Sequence, residues 1–191
     1  IIRAFDGELN LNELLDSSNY WKLKATLGGS FVSKFNTDNN TTLFNMPKNV
    51  GATCLRMNLR YHKIRFSGEY VHKINDPYPD QNENFNYIYK NGEGILLNLG
   101  YSTKGFAIDF SAKHMDNMLW RSTNVNVGPT DLLIGYLPAL TKQHTYNLAA
   151  TLYPYATNFY GEIAYQLDVL YKIPKKTVLG GRYGTSIAVN F

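Results

Sequence analysis

"GILLNLGYSTKGFAIDFSAKH", residues 94–114, is the stretch on which the fold turns. Ile95, Leu97, Leu99 and Tyr101 form one row, Asn98, Gly100 and Ser102 form the other, and Leu96 breaks the pattern. After Thr103-Lys104-Gly105 the apolar row resumes as Phe106, Ile108 and Phe110, set against Asp109, Ser111 and Lys113. A period of two is the mark of a strand with two unlike faces. A three-residue connection ending in glycine predicts a hairpin that carries a bulge. The apolar row must then face either the dry core of a soluble protein or lipid.

The same alternation runs through most of the chain. Trp21, Leu23, Ala25, Leu27 and Phe31 alternate with Lys22, Lys24, Thr26, Ser30 and Lys34, which predicts one long strand kinked at Gly28-Gly29. Leu55, Met57, Leu59 and Tyr61 alternate with Arg56, Asn58, Arg60 and His62, and a tight turn near His62-Lys63 leads to Ile64, Phe66 and Tyr70. The polar link "INDPYPDQNENFNYIYKNGE" has no period and reads as a large loop. Beyond a weak stretch from Met115 to Gly128, strands are expected at 132–136, at 146–152, from Ile163 to Tyr171, and from Ile187 to Phe191. A weaker alternation links Phe5, Gly7, Leu9 and Leu11, and the best helical candidate, Asn12 to Asp16, is short. About ten strands joined by short links predict an antiparallel up-and-down meander, because parallel neighbours need crossovers of roughly a dozen residues.

A chain of 191 residues suits a single β domain spanning 1–191. Mean hydropathy is -0.30, and no stretch approaches the roughly 20 apolar residues of a membrane-spanning helix. A barrel strand needs only about 9–11 alternating residues, so mean hydropathy does not decide against a membrane. The net charge of +4 comes from dispersed basic residues with no nucleic-acid-binding signature. The single cysteine, Cys54, excludes an internal disulfide framework and reads as a small half-buried strand residue. The chain opens on Ile1-Ile2-Arg3, which reads as a processed or trimmed start.

Four patterns bear on which face is wet. Tight turns share one edge of the meander and the long link after Ile74 lies on the other, an asymmetry found in transmembrane barrels. Tyr61, Tyr101, Phe106 and Tyr171 fall at strand ends beside the short turns, while Tyr153 and Tyr155 cluster with Phe159 and Tyr160 at the opposite edge, as interfacial aromatics would. The other row carries Lys22, Lys24, Arg56, Arg60, Arg65, Glu69, Asp109, Lys113, Glu162 and Asp168, a mixture of signs suited to a hydrated lumen. In a small barrel the same charges would pair and fill the interior. Phe191, with Val189, Ile187 and Tyr183 on its parity, has the form of a terminal barrel strand.

With these features the meander resembles Gram-negative outer-membrane β-barrels. In particular, "NYWKLKATLGGSFVSKF", "YIYKNGEGILLNLGYSTKGFAIDFSAKHMDNM" and "LGGRYGTSIAVNF" resemble segments of an uncharacterised Bacteroidetes family of such barrels. The resemblance implies an all-β, antiparallel transmembrane barrel in the bacterial outer membrane, or a portion of a longer one, in contact with outer-membrane lipid and other envelope proteins. It implies a passive channel or transporter, or the membrane component of an envelope complex, and supplies no catalytic residues. The competing expectation is a soluble up-and-down barrel that binds a small apolar ligand.

Enzyme chemistry finds little footing. His62, His72, His114 and His144 are scattered, with His62 and His72 assigned to the Arg56-Arg60 row or to a nearby loop, and there is neither a Gly-x-Ser-x-Gly elbow nor a His-Glu-x-x-His pair. Asp76, Asp80 and Glu83 lack the spacing of a calcium loop. The paired glycines at 28–29 and 180–181 lead into no helix that could cradle phosphate. No catalytic function, cofactor, metal or nucleic-acid partner is expected.

Overall fold

β-branched and aromatic residues at every second position favour extended chain, and the antiparallel ladder satisfies its backbone groups. The computed structural model describes residues 1–15, 22–36, 47–76, 90–122, 133–135, 140 and 157–191, together with the backbone of 78–79 and 87–88. Its elements are β1 (Ile2–Asn10), α1 (Leu11–Leu15), β2 (Leu23–Phe35), β3 (Asn49–Tyr61), β4 (Ile64–Lys73), β5 (Tyr78–Pro79), β6 (Tyr87–Ile88), β7 (Gly92–Thr103), β8 (Phe106–Asp116), β9 (Gly161–Ile173) and β10 (Thr185–Asn190). Eight strands form one antiparallel sheet in the order β1-β2-β3-β4-β7-β8-β9-β10, and β5 and β6 make a separate two-stranded ribbon. The fold is an all-β meander.

The described strands do not close into a barrel. β1 and β10 are edges that touch only β2 and β9, apart from contact between β1 and α1. Of the ten strands expected, the one at 146–152 lies outside the described residues, and the one at 132–136 is not formed by its described residues 133–135, of which Leu133 makes only an isolated bridge to Arg121. The main sheet passes directly from β8 to β9.

Pairing is unbroken from β1 to β10, so parity assigns each side chain to a face. Phe5, Leu27, Met57, Leu97, Leu99, Phe110, Tyr165, Val169 and Val189 share one face. That face is uncovered by any described element: Phe5 is 73% exposed, Leu55 65%, Ile163 66% and Tyr165 68%. The exposed large apolar residues of the eight strands all belong to it, except Ile2 and Leu170.

Three local expectations need correction. Thr103 pairs with Phe106, so the β7–β8 connection is the two residues Lys104-Gly105; Gly105 takes φ +82°, which lets the chain reverse without a third residue. At Gly28-Gly29 β2 stays in register with both β1 and β3, without the break in pairing that a sharp kink would bring. His72 stands on the apolar face, opposite Thr53 and Glu93, and not in the Arg56-Arg60 row.

The two ends of the sheet differ. At one end, His62-Lys63 and Lys104-Gly105 make two-residue turns, His62 with φ 50°, and α1 follows β1. The Asn10 side chain caps α1, accepting from the Asn12 amide at 3.2 Å. The Asn12 side chain in turn donates to Leu23 O at 2.7 Å and accepts from Ala25 N at 2.8 Å. It thereby extends the β1–β2 ladder one position past the end of β1.

At the other end, residues 117–121 fold across the polar face as a strap. Trp120 packs with Val50 and Ala52, flanked by Val32 and Ile134, and Met115, Met118 and Leu119 are buried nearby. Beneath the strap Lys34 and Lys73 are 1% and 0% exposed. Lys34 Nζ donates to Asp76 Oδ2 at 2.7 Å and to Arg121 O at 2.9 Å, and Lys73 Nζ donates to Leu119 O at 2.6 Å. A buried ammonium stripped of its counter-charge is costly. Asp76→Ala is expected to destabilise the protein by about 3–5 kcal/mol, read from chemical unfolding of the full chain. A loss below about 1 kcal/mol, the range of exposed pairs, would show that this bridge does not hold the strap.

Candidate functional site

The register arranges the polar face in rungs that cross the sheet. Nearest the short turns, Lys24, Arg60 and Arg65 are direct cross-strand neighbours, and the rung continues through Gly100, Asp109 and Asp168 to Asn190. One step inward every side chain is a hydroxyl or an amide: Thr26, Asn58, Ser67, Asn98, Ser111 and Gln166. Within it Ser111 Oγ donates to Asn98 Oδ1 at 2.7 Å and Asn98 Nδ2 to Ser67 Oγ at 3.2 Å. The third rung brings Arg56, Glu69 and Lys113 into line across Leu96. Lys22 is exposed just before β2.

Two arginines use a glycine of the neighbouring strand as a gap. Arg56 reaches over Gly28, where an added methyl would sit 3.0 Å from its Nε, and bonds Asp6 Oδ1 and Ser30 Oγ, both at 2.6 Å. Arg65 reaches over Gly100 to Asp109 Oδ1 at 3.1 Å. Lys113 on the third rung pairs at 2.6 Å with Glu162, which stands opposite Met115 two residues further along, and also donates to Thr157 Oγ1 at 2.8 Å. Asp168 accepts from Asn190 Nδ2 and Gln166 Nε2, both at 2.8 Å.

The charged row predicted from sequence is therefore brought to one face, with most members paired. Among the described residues, Lys24 and Arg60 have no carboxylate within bridging distance. They border a hollow of about 470 Å³ whose walls include Thr26, Asn58, Ser67 and Asn98. Sequence reasoning missed the neutral rung and the roles of Gly28 and Gly100. The only signal for them was their position opposite arginines, which requires the register to see.

On the apolar face, Tyr61, Tyr101, Phe106 and Tyr171 lie along the short-turn edge: Tyr61 and Tyr101 flank Ile64, and Phe106 stands opposite Tyr171. The rings of Tyr101 and Phe106 are 6.3 Å apart. Tyr153 and Tyr155, the predicted aromatics of the far edge, lie outside the described residues, as do His144, Asp80 and Glu83. Among the described residues no three His, Cys, Asp or Glu side chains converge as metal ligands would.

A methyl at Gly100 would collide with Asp109 Oδ1 and come within 3.2 Å of the Arg65 guanidinium. Gly100→Ala should therefore cost up to about 1 kcal/mol, the worth of an exposed bridge, because the carboxylate end of Asp109 must swing aside. In an Asp109→Ala background, where the bridge is already gone, Gly100→Ala is expected to cost no further stability in urea unfolding. A loss of the same size in both backgrounds would show that the glycine is not there to pass the bridge.

Comparison with curated proteins and with solved structures finds no match. Comparison with protein families does, over residues 1–191, and the chain belongs to the family of unknown function DUF6029.

Proposed function

We propose that the sheet is part of the wall of an outer-membrane β-barrel, with the apolar face toward lipid, the charged face toward a hydrated interior, and β1 and β10 joined to further strands. The observation that carries this reading is the uncovered apolar face, which runs across all eight strands while charges gather on the opposite face. An apolar surface of that extent in water drives association. A bilayer removes that cost, and a strand of 9–13 residues is long enough to cross it. β10, with 6 residues, is extended by Phe191, which exchanges backbone hydrogen bonds with Leu167 at 2.9 and 3.0 Å.

Three further features support it. Tyr61, Tyr101, Phe106 and Tyr171 occupy the level of an interfacial belt. The two shortest turns share one edge, the periplasmic one in this reading, and the longer links after β2, β4 and β8 share the other. The short segments that resemble Bacteroidetes outer-membrane barrels agree with this location. The wall would serve a passive channel or the membrane part of an envelope assembly. A soluble barrel for an apolar ligand draws less support, because the hollow on the sheet sets Lys24, Arg60, Arg65 and Asp109 with amides and hydroxyls around it, and only Leu59 and Phe66 supply large apolar side chains.

Leu97 lies mid-strand on the apolar face, between Gly68 and Ala112. Leu97→Lys should lower the stability of the full chain folded into phospholipid vesicles by about 2–4 kcal/mol. Asn58→Lys, on the polar face, should cost far less. A full chain that purifies folded and monomeric without detergent, and that tolerates Leu97→Lys, would end the membrane reading.

A further inference from the structure

Lys24, Arg60 and Arg65 stand side by side on three adjacent strands. Like charges directly opposite one another in a sheet are destabilising, and cross-strand Cβ atoms are only about 4.5–5.5 Å apart. Elsewhere on this face three cations have carboxylate partners: Arg56 has Asp6, Lys113 has Glu162, and Lys34 has Asp76. Here relief is partial. Arg65 is balanced by Asp109, while Lys24 and Arg60, which have no bridging carboxylate among the described residues, contribute two positive charges to the hollow they border. The neighbouring rung adds neutral hydrogen-bonding groups, Thr26, Asn58, Ser67 and Asn98, about two residues along each strand or roughly 7 Å away.

We propose that Lys24, Arg60 and Arg65 form a binding site for a small oxyanion that also bears hydroxyl groups, a sugar acid or a sugar phosphate. The cations take the carboxylate or phosphate, Arg60 through its planar fork of donors and Lys24 as a point charge. Asn58 and Thr26, neighbours of Arg60 and Lys24 along their own strands, take the hydroxyls as amide and hydroxyl partners. Arg65, held by Asp109 across Gly100, fixes one wall of the site. A simple inorganic anion satisfies only the first half of this arrangement, and a neutral sugar only the second.

This assignment deepens the wall reading and rests on it for access from the aqueous interior, but binding is measurable without a membrane. The test is calorimetric titration of the full chain, folded in detergent micelles or in water, whichever supports it, with glucuronate, glucose 6-phosphate, inorganic phosphate and glucose. Saturable binding of glucuronate or glucose 6-phosphate is expected, and the tighter of the two names the anionic group. Inorganic phosphate should bind more weakly and glucose not at all. Arg60→Gln and Lys24→Gln should each weaken the sugar anion at least 5-fold, Arg60→Lys should retain part of the affinity, and Lys104→Gln in the short turn should leave it unchanged. Asn58→Ala should weaken the sugar anion but not inorganic phosphate. Without ligand, Arg60→Gln should unfold at the same urea concentration as the native chain or a higher one, because it removes a like-charge contact. Absence of saturable sugar-anion binding, equal binding of glucose, or unchanged affinity in the Lys24→Gln/Arg60→Gln double variant would overturn the site. A fall in the unfolding midpoint of Arg60→Gln would also overturn it, by making the cations structural. A chain that binds the sugar anion but does not enter vesicles would leave the site standing and end the wall reading alone.

Discussion

Continuous register is the constraint on which the rest of this structure depends. From β1 to β10 each strand pairs with the next in step, so a side chain's parity decides its face across the whole sheet. A slip of one residue at any interface would exchange the two faces of every strand beyond it. Leu99 would then stand beside Arg65 and Ser67, and Asp109 beside Tyr101. The hydrophobic gain that holds such a sheet together depends on lateral contact along one face, for example Phe5 with Phe31 and Phe66 with Leu99. The consequence is an apolar surface that the described chain does not cover, and the lipid reading answers that surface without requiring a second layer.

On the opposite face, charge is managed by reach and not by adjacency alone. Arg56 passes over Gly28 and Arg65 over Gly100, each to a carboxylate two strands away. A long guanidinium side chain and a missing Cβ are both required, and the result ties three strands with one contact. Exposed bridges of this kind contribute little individually, about 0–1 kcal/mol. Their larger effect is on geometry, because they orient side chains that would otherwise sample several rotamers. The neutral rung of Asn98, Ser67 and Ser111 does the same through hydrogen bonds.

Fold class and facing were legible in the sequence because a period of two is a local property. Lys24, Arg56, Arg60, Arg65 and Asp109 could be put in one row by counting along each strand, and the structure places them on one face. Which of them pair was not legible, since Arg56 meets Asp6 across fifty positions of sequence and the choice depends on register between strands. Counting alone puts His72 in the Arg56-Arg60 row or near a loop, and it stands on the apolar face of β4 for a related reason: parity reverses at the two-residue turn His62-Lys63, so even numbers face one way in β3 and the other in β4. The strap left no periodic signal. Nothing about Lys34 or Lys73 in isolation marks either as fully buried, because that burial is produced by Trp120 and Leu119 arriving from a distant part of the chain.

The same polar face is thus finished differently at its two ends. Where the long links gather, Met118, Leu119 and Trp120 cover it and its lysines are buried against backbone carbonyls and Asp76. Where the turns are short, Lys24, Arg60 and Arg65 stay exposed around an open hollow. Covered lysines with partners inside the protein are poorly placed to attract a solute, whereas Lys24 and Arg60, exposed and without a bridging carboxylate among the described residues, produce a field that reaches into water over roughly a Debye length, about 8–10 Å. That asymmetry gives the face a direction. In the proposed wall a solute anion would meet the cationic rung from the short-turn side, with the strap and its buried lysines beyond the neutral rung, so the charge that selects lies at the accessible end and the apolar packing that closes lies at the other.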